Sequence, residues 1–149
     1  MDKLNYLTMG ELNLSRGTFR VLSGTLRYLL SNYAPAVSEW LEEVRNEALG
    51  QSETAVVGIK ITYAPCSLSR SVRAGMREIA LLQICVNQRC LVFQVCKSTQ
   101  PPPPYLLHFL AEPRFLIVGI GLEDWNCLTN RFQASADLRL MPNLHDIRD

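Results

Sequence analysis

A chain of 149 residues that is 48% hydrophobic and 19% charged has enough apolar content for one buried core, which excludes a disordered or fibrous protein. Its 15 basic residues stand against 14 acidic ones, a net charge of +1, so it lacks the broad positive field of a dedicated nucleic-acid binder. Any such contact has to come from a local cluster.

The start, Met1 to Tyr6, has neither the basic beginning nor the apolar stretch of a signal peptide. No apolar run approaches the ~20 residues of a membrane span. These features predict a soluble intracellular protein, nuclear or cytoplasmic, without a membrane partner. Five cysteines (Cys66, Cys85, Cys90, Cys96, Cys127) contain no C-x-x-C pair, and only His108 and His145 accompany them, which argues against structural zinc.

Residues 1–17 end in Asn13-Leu14-Ser15-Arg16-Gly17, a turn-rich lead without a period, and remain unassigned. Thr18 to Leu22 and Thr25 to Leu30 flank Ser23-Gly24 and predict a short hairpin. After the turn-like Ser31 to Ala34, Pro35 opens a helix in which Val37, Trp40, Leu41, Val44 and Ala48 recur at helical spacing. Gly50 supplies its expected stop. Trp40 reads as a core anchor rather than a binding residue.

Ala55 to Tyr63 alternates as a strand, with Val57, Ile59, Ile61 and Tyr63 on a core face and Val56, Gly58, Lys60 and Thr62 on a partly polar one. The loop Ala64 to Arg77 carries Arg70, Arg73 and Arg77, three arginines that either meet phosphates or are simply solvated. Ile79 to Val86 is apolar on both faces except for Gln83, the pattern of a central strand covered on both sides. Asn87-Gln88 turn the chain into a second strand, Arg89 to Val95. A two-residue loop sets Cys85 opposite Cys90, either as reduced core thiols or as a pair that can oxidise.

Pro101 to Pro104 has P-x-x-P spacing and is either a stiff connector or a ligand for an SH3-type domain. Pro104 suits the first turn of a helix through Leu106, Leu107, Phe109 and Leu110, which Pro113 ends. Phe115 to Gly121 reads as a buried strand, and Glu123-Asp124 begin a further helix through Trp125, Leu128 and Phe132. Beyond Ala134 the pattern fades.

Several words, in this order, resemble the ribonuclease-H-like 3′–5′ exonucleases of the DEDD class, and among them the plant Werner-syndrome-like exonucleases. Ala55 to Tyr63 is similar to their first strand, V-V-G-[LF]-D-[IV]-E-W; Ala80 to Cys85 to A-L-L-Q-L-C; and Arg89 to Val95 to C-L-[LI]-F-Q-L. Leu107 to Pro113 resembles L-x-x-F-L-x-[DN]-P and Phe115 to Asp124 resembles F-x-x-V-G-V-G-I-x-x-D, each one residue shorter than the word it resembles. Val37 to Leu41 looks like the V-x-x-W-L word ahead of the first strand.

The resemblance implies an α/β fold, a ribonuclease-H-like mixed sheet flanked by helices and incomplete at the carboxyl end, over residues 18–149 as a single partial domain. It also implies hydrolysis of nucleic acid through two divalent ions held by four acids. Two of those acids form a D-x-E word on the first strand, where positions i and i+2 share a face. Here they are Lys60 and Thr62; Asp124 stands at the second aspartate, and the family's Y-x-x-x-D word would lie beyond Asp149. Magnesium or manganese is implied only if activity is retained, and otherwise no cofactor is expected.

Two functions follow as expectations. One is a degenerate exonuclease domain that binds single-stranded DNA or RNA through Lys60, Arg70, Arg73 and Arg77, with Asp124 a remnant. The other is an interaction module using an open sheet face or Pro101 to Pro104, covered by a second copy or a protein partner.

Overall fold

The computed structural model describes residues 12–65, 77–98, 102–120 and 144–146. Two long strands, β1 (Leu14–Val21) and β2 (Gly24–Ser31), precede helix α1 (Ala34–Gln51). There follow β3 (Ala55–Pro65), β4 (Arg77–Val86), β5 (Arg89–Phe93), a 3-10 turn at Val95–Lys97, helix α2 (Pro104–Leu110), β6 (Phe115–Ile120) and β7 (Leu144–Asp146). The strands form one mixed sheet in the order β1-β2-β5-β4-β3-β6-β7. Among the described residues no helix is long and apolar enough to cross a membrane.

The predicted alternation of β3 holds. Val57, Ile59 and Ile61 are buried and join Leu82, Ile84, Leu91, Phe93, Phe115 and Ile117 in one cluster with Trp40, Leu41 and Val44 of α1 and Leu106, Phe109 and Leu110 of α2. Both described helices therefore cover the same face. Trp40 is the core anchor its spacing implied, and the Phe109 and Phe115 rings tilt against each other at 4.8 Å between centroids.

The amino-terminal hairpin exists, with a different extent and place from those expected. Its turn is Leu22-Ser23, closed by Val21 opposite Gly24, rather than Ser23-Gly24. Gly24 has φ +143, a backbone state that side chains resist, which is why glycine follows the turn. Leu14 to Gly17, read as turn-rich, is strand. The cause is a polar knot that periodicity does not report: Asn13 N donates to Asn32 Oδ1 at 2.7 Å, Ser31 Oγ donates to the Asn13 carbonyl at 2.7 Å, and Asn13 Nδ2 donates to Gln94 Oε1 at 2.9 Å.

β2 then runs parallel to β5, from Arg27 beside Arg89 to Ser31 beside Phe93. The hairpin thus belongs to the main sheet instead of preceding it. Ion pairs fasten α1 to this junction, with Arg89 reaching Glu47 at 2.9 Å and Glu43 at 3.1 Å.

Gly50 does not stop α1; the helix continues through Gln51 and ends at extended Ser52, whose N–H donates to the Ala48 carbonyl. Within the polyproline run Pro102 and Pro103 are buried and Pro104 opens α2, while Pro101, the other end of the P-x-x-P spacing, lies outside the described residues. The helix expected from Glu123 lies outside the described residues. β7, which no pattern indicated, pairs parallel with β6.

A second buried polar centre holds the far side. Glu112, 7% exposed, accepts from Arg45 Nη2 of α1 at 2.7 Å and from Arg114 Nε at 2.8 Å, joining α1 to the connection between α2 and β6. The side-chain hydrogen bond from Arg114, then that from Arg45, outweigh burial and lower the Glu112 carboxyl from 4.5 to about 2.

Candidate nucleic-acid interface

Because β3 buries its odd-numbered residues, Gly58, Lys60 and Thr62 point to the opposite face of the sheet. Lys60 is exposed and Thr62 half-buried. The register sets Lys60 between Gln83 of β4 and Ile120 of β6, and Thr62 beside Leu81. A bulge follows at Thr62/Tyr63, where β3 passes the site.

Together Gly58, Lys60, Gln83, Cys85, Val118 and Gly119 border a shallow depression of about 230 Å³. Its wall is apolar apart from the Lys60 ammonium and the Gln83 amide. Among the described residues no carboxylate pairs with Lys60, so its charge is available to an incoming anion. A glycine at 58 is not forced by space, since a Cβ there would meet only the Cys85 carbonyl oxygen at 3.8 Å.

Beside this depression, and sharing Gln83 and Cys85 with it, runs a larger apolar groove of about 530 Å³ lined by Phe19, Tyr28, Leu30 and Val92 among others. Periodicity could not indicate it because the hairpin's place beside β5 depends on long-range pairing. Gln83 carried a signal, being the one polar residue between Ile79 and Val86. Cys85 sits directly opposite Cys90, as the two-residue loop implied. Cys90 is buried but Cys85 is exposed, so the two are not both core thiols. Burial first, and then the Cys90 sulfur, push the Cys85 thiol up to about 12.

Of the residues singled out from sequence, Lys60 and Thr62 share this face. Arg77 opens β4, opposite Pro65 at the end of the same ladder. Arg70, Arg73 and Asp124 lie outside the described residues. Among the described residues no three His, Cys, Asp or Glu side chains converge as a metal cluster would require.

No family model matches the sequence, and no curated protein matches it by sequence. Solved structures do match by shape. The catalytic core of RRP6 from Trypanosoma brucei is similar over 89% of this chain and 32% of its own, with TM-score 0.60 and 13% identity. Escherichia coli RNase D, described as an exoribonuclease involved in structured RNA processing, matches over 80% of this chain and 27% of its own, with TM-score 0.57 and 16% identity. The Nibbler EXO domain of Aedes aegypti matches over 81% and 52%, with TM-score 0.54 and 12% identity. This chain therefore spans about half or less of the structures it resembles. The order of strands, the described helices packed on one face and these matches agree on one architecture: the chain has an α/β fold, a mixed sheet with helices, like that of these exonuclease domains.

Proposed function

We propose that this chain is an exonuclease-like domain that binds single-stranded DNA or RNA on the open sheet face and has lost nucleolytic catalysis. The observation that carries the reading is the exposed Lys60, without a carboxylate partner among the described residues, two residues before Thr62, on the face where the resemblance calls for paired acids. An ammonium repels a dication, and a threonine hydroxyl is a poor substitute for a carboxylate ligand. These two positions do not fit magnesium or manganese.

What they do fit is a phosphate. The Lys60 ammonium meets the backbone charge, the Gln83 amide donates to a phosphate or base edge, and the low relief at Gly58 admits the strand closely. Arg70 and Arg73, between β3 and β4 in the chain, and Arg77, which opens β4, add phosphate contacts, and Asp124 is a remnant of the ancestral acid set. The nearness of this fold to an exoribonuclease supports nucleic acid as the ligand class.

Anisotropy of a labelled single-stranded oligonucleotide tests this. Binding weakens as salt rises, and Lys60→Glu lowers affinity and reduces the salt slope by about 1. With magnesium or manganese the oligonucleotide keeps its length. Absent binding, binding indifferent to salt, or steady shortening of the strand would refute the proposal.

The apolar groove beside the site favours a second reading, in which a second copy of the chain covers this face. Light scattering across a dilution series distinguishes it, since a self-paired sheet dissociates with dilution whether or not an oligonucleotide is present.

A further inference from the structure

Val86 opposite Arg89 closes the β4–β5 turn, with Asn87 at φ 55 supplying the left-handed corner. The next pair along the ladder, Cys85 opposite Cys90, therefore occupies a position without backbone hydrogen bonds, where facing Cα atoms lie about 4.5 Å apart. That spacing lies within the range a disulfide spans. The side chains already converge, with the two sulfurs 2.7 Å apart. Cys85 is exposed, and Cys96, in the 3-10 turn, has no such opposite number among the described residues.

We propose that Cys85 and Cys90 form a modification site, a cross-strand dithiol that a small glutathione-type disulfide oxidises to an intrachain disulfide. Cys85 is the member a dissolved reagent reaches. Its thiol gives a proton to solvent, and the thiolate attacks one sulfur of the small disulfide. The reagent's S–S bond breaks, one small thiolate leaves, and a mixed disulfide remains on Cys85. Cys90, after losing its own proton, attacks the Cys85 sulfur and expels the second small thiolate. Two protein thiols are oxidised, one small disulfide is reduced to two thiols, and no other reactant is needed.

The resistance of Cys85 to ionisation slows the first exchange without opposing the final bond, so the pair equilibrates slowly. Cys85 borders both the depression at Lys60 and the groove at Tyr28, which places the bridge on the face opposite the two described helices. The chemistry does not depend on nucleic-acid binding.

The test incubates the folded full chain to equilibrium in mixtures of reduced and oxidised glutathione, quenches with acid, alkylates the remaining thiols and digests with trypsin. Cleavage after Arg89 parts the two cysteines, so their bond appears as a linked pair of peptides. Cys96 shares the Cys90 peptide, and Cys96→Ser removes that ambiguity. The expected product is a Cys85–Cys90 link, roughly tenfold more abundant than any other pairing. It is retained in Cys96→Ser, absent in Cys85→Ser and Cys90→Ser, and loses its preference in urea, where the sheet no longer sets the pairing. A lasting glutathione adduct on Cys85, a Cys85–Cys96 link, unreacted thiols at equilibrium, or equal preference in urea would each overturn the proposal.

Discussion

Replacing Glu112 by Gln removes the charge that two arginines share while keeping the side chain's size. In the native fold the carboxyl sits at about 2 rather than 4.5, held down chiefly by the Arg114 hydrogen bond. A difference of that size corresponds to about 3 kcal/mol at neutral pH. Because the Arg114 side chain is 49% exposed, solvent screening reduces the contribution to about 2 kcal/mol. For a domain of this size that predicts a melting temperature lower by about 6 °C. The sign in pH follows from the direction of the shift. A depressed carboxyl stabilises the fold fully above its unfolded value of 4.5, and the contribution fades as pH falls through about 2. Thermal melts of the parent and Glu112→Gln from pH 7 down to pH 2 should therefore converge at the acid end. Equal stability at pH 7, or a gap that stays constant down to pH 2, would refute the reasoning. Removing Arg45 as well, as Met, should cost less than the sum of the separate changes, since neither charge is then left alone.

Phe109→Ala removes a fully buried ring that packs on Phe115 and should destabilise by about 3–5 kcal/mol, read by urea melts. Gly17→Ala places a Cβ within 2.8 Å of three Tyr28 ring and hydroxyl atoms and should cost about 1 kcal/mol, whereas Gly58→Ala, with only a 3.8 Å neighbour, should melt close to the parent. Finally, Lys60→Asp with Thr62→Glu should raise manganese affinity above that of the parent, measured by titration calorimetry, because it places a D-x-E word on one strand face. Absence of added affinity would argue against the reading of that face as a degenerate metal site.

The parts of this fold legible in the sequence are those set by local chemistry. The alternation of β3 declares its buried face, the Asn87-Gln88 turn fixes Cys85 against Cys90, and Pro104 and Pro113 bracket α2. What escaped depends on partners distant in the chain. Leu14 to Gly17 is extended because Asn13 is tied to Asn32, Ser31 and Gln94, and no window of neighbours contains that knot. Gly50 resembles a helix terminator, yet open space surrounds it and α1 runs one residue past it. At the site, Lys60 and Thr62 fell on the expected face because strand parity alone decides it. The neighbours that shape the surface around them, Gln83 and Tyr28, come from β4 and β2, whose order in the sheet is a tertiary fact.

The parallel pairing of β2 with β5 joins residues 62 positions apart, and that of β3 with β6 joins residues 60 positions apart. On a chain emerging from the ribosome, the first hairpin and α1 are complete long before β5 exists to receive them. Until about Phe93 has been made, β2 has one edge without its partner and α1 has no sheet to cover. Such non-local closure makes folding slow relative to a helical protein of equal length. The interval during which Leu29 and Trp40 are still uncovered is when aggregation competes with folding, so yield should respond to the speed of synthesis across residues 52–93 more than to the stability of the finished protein.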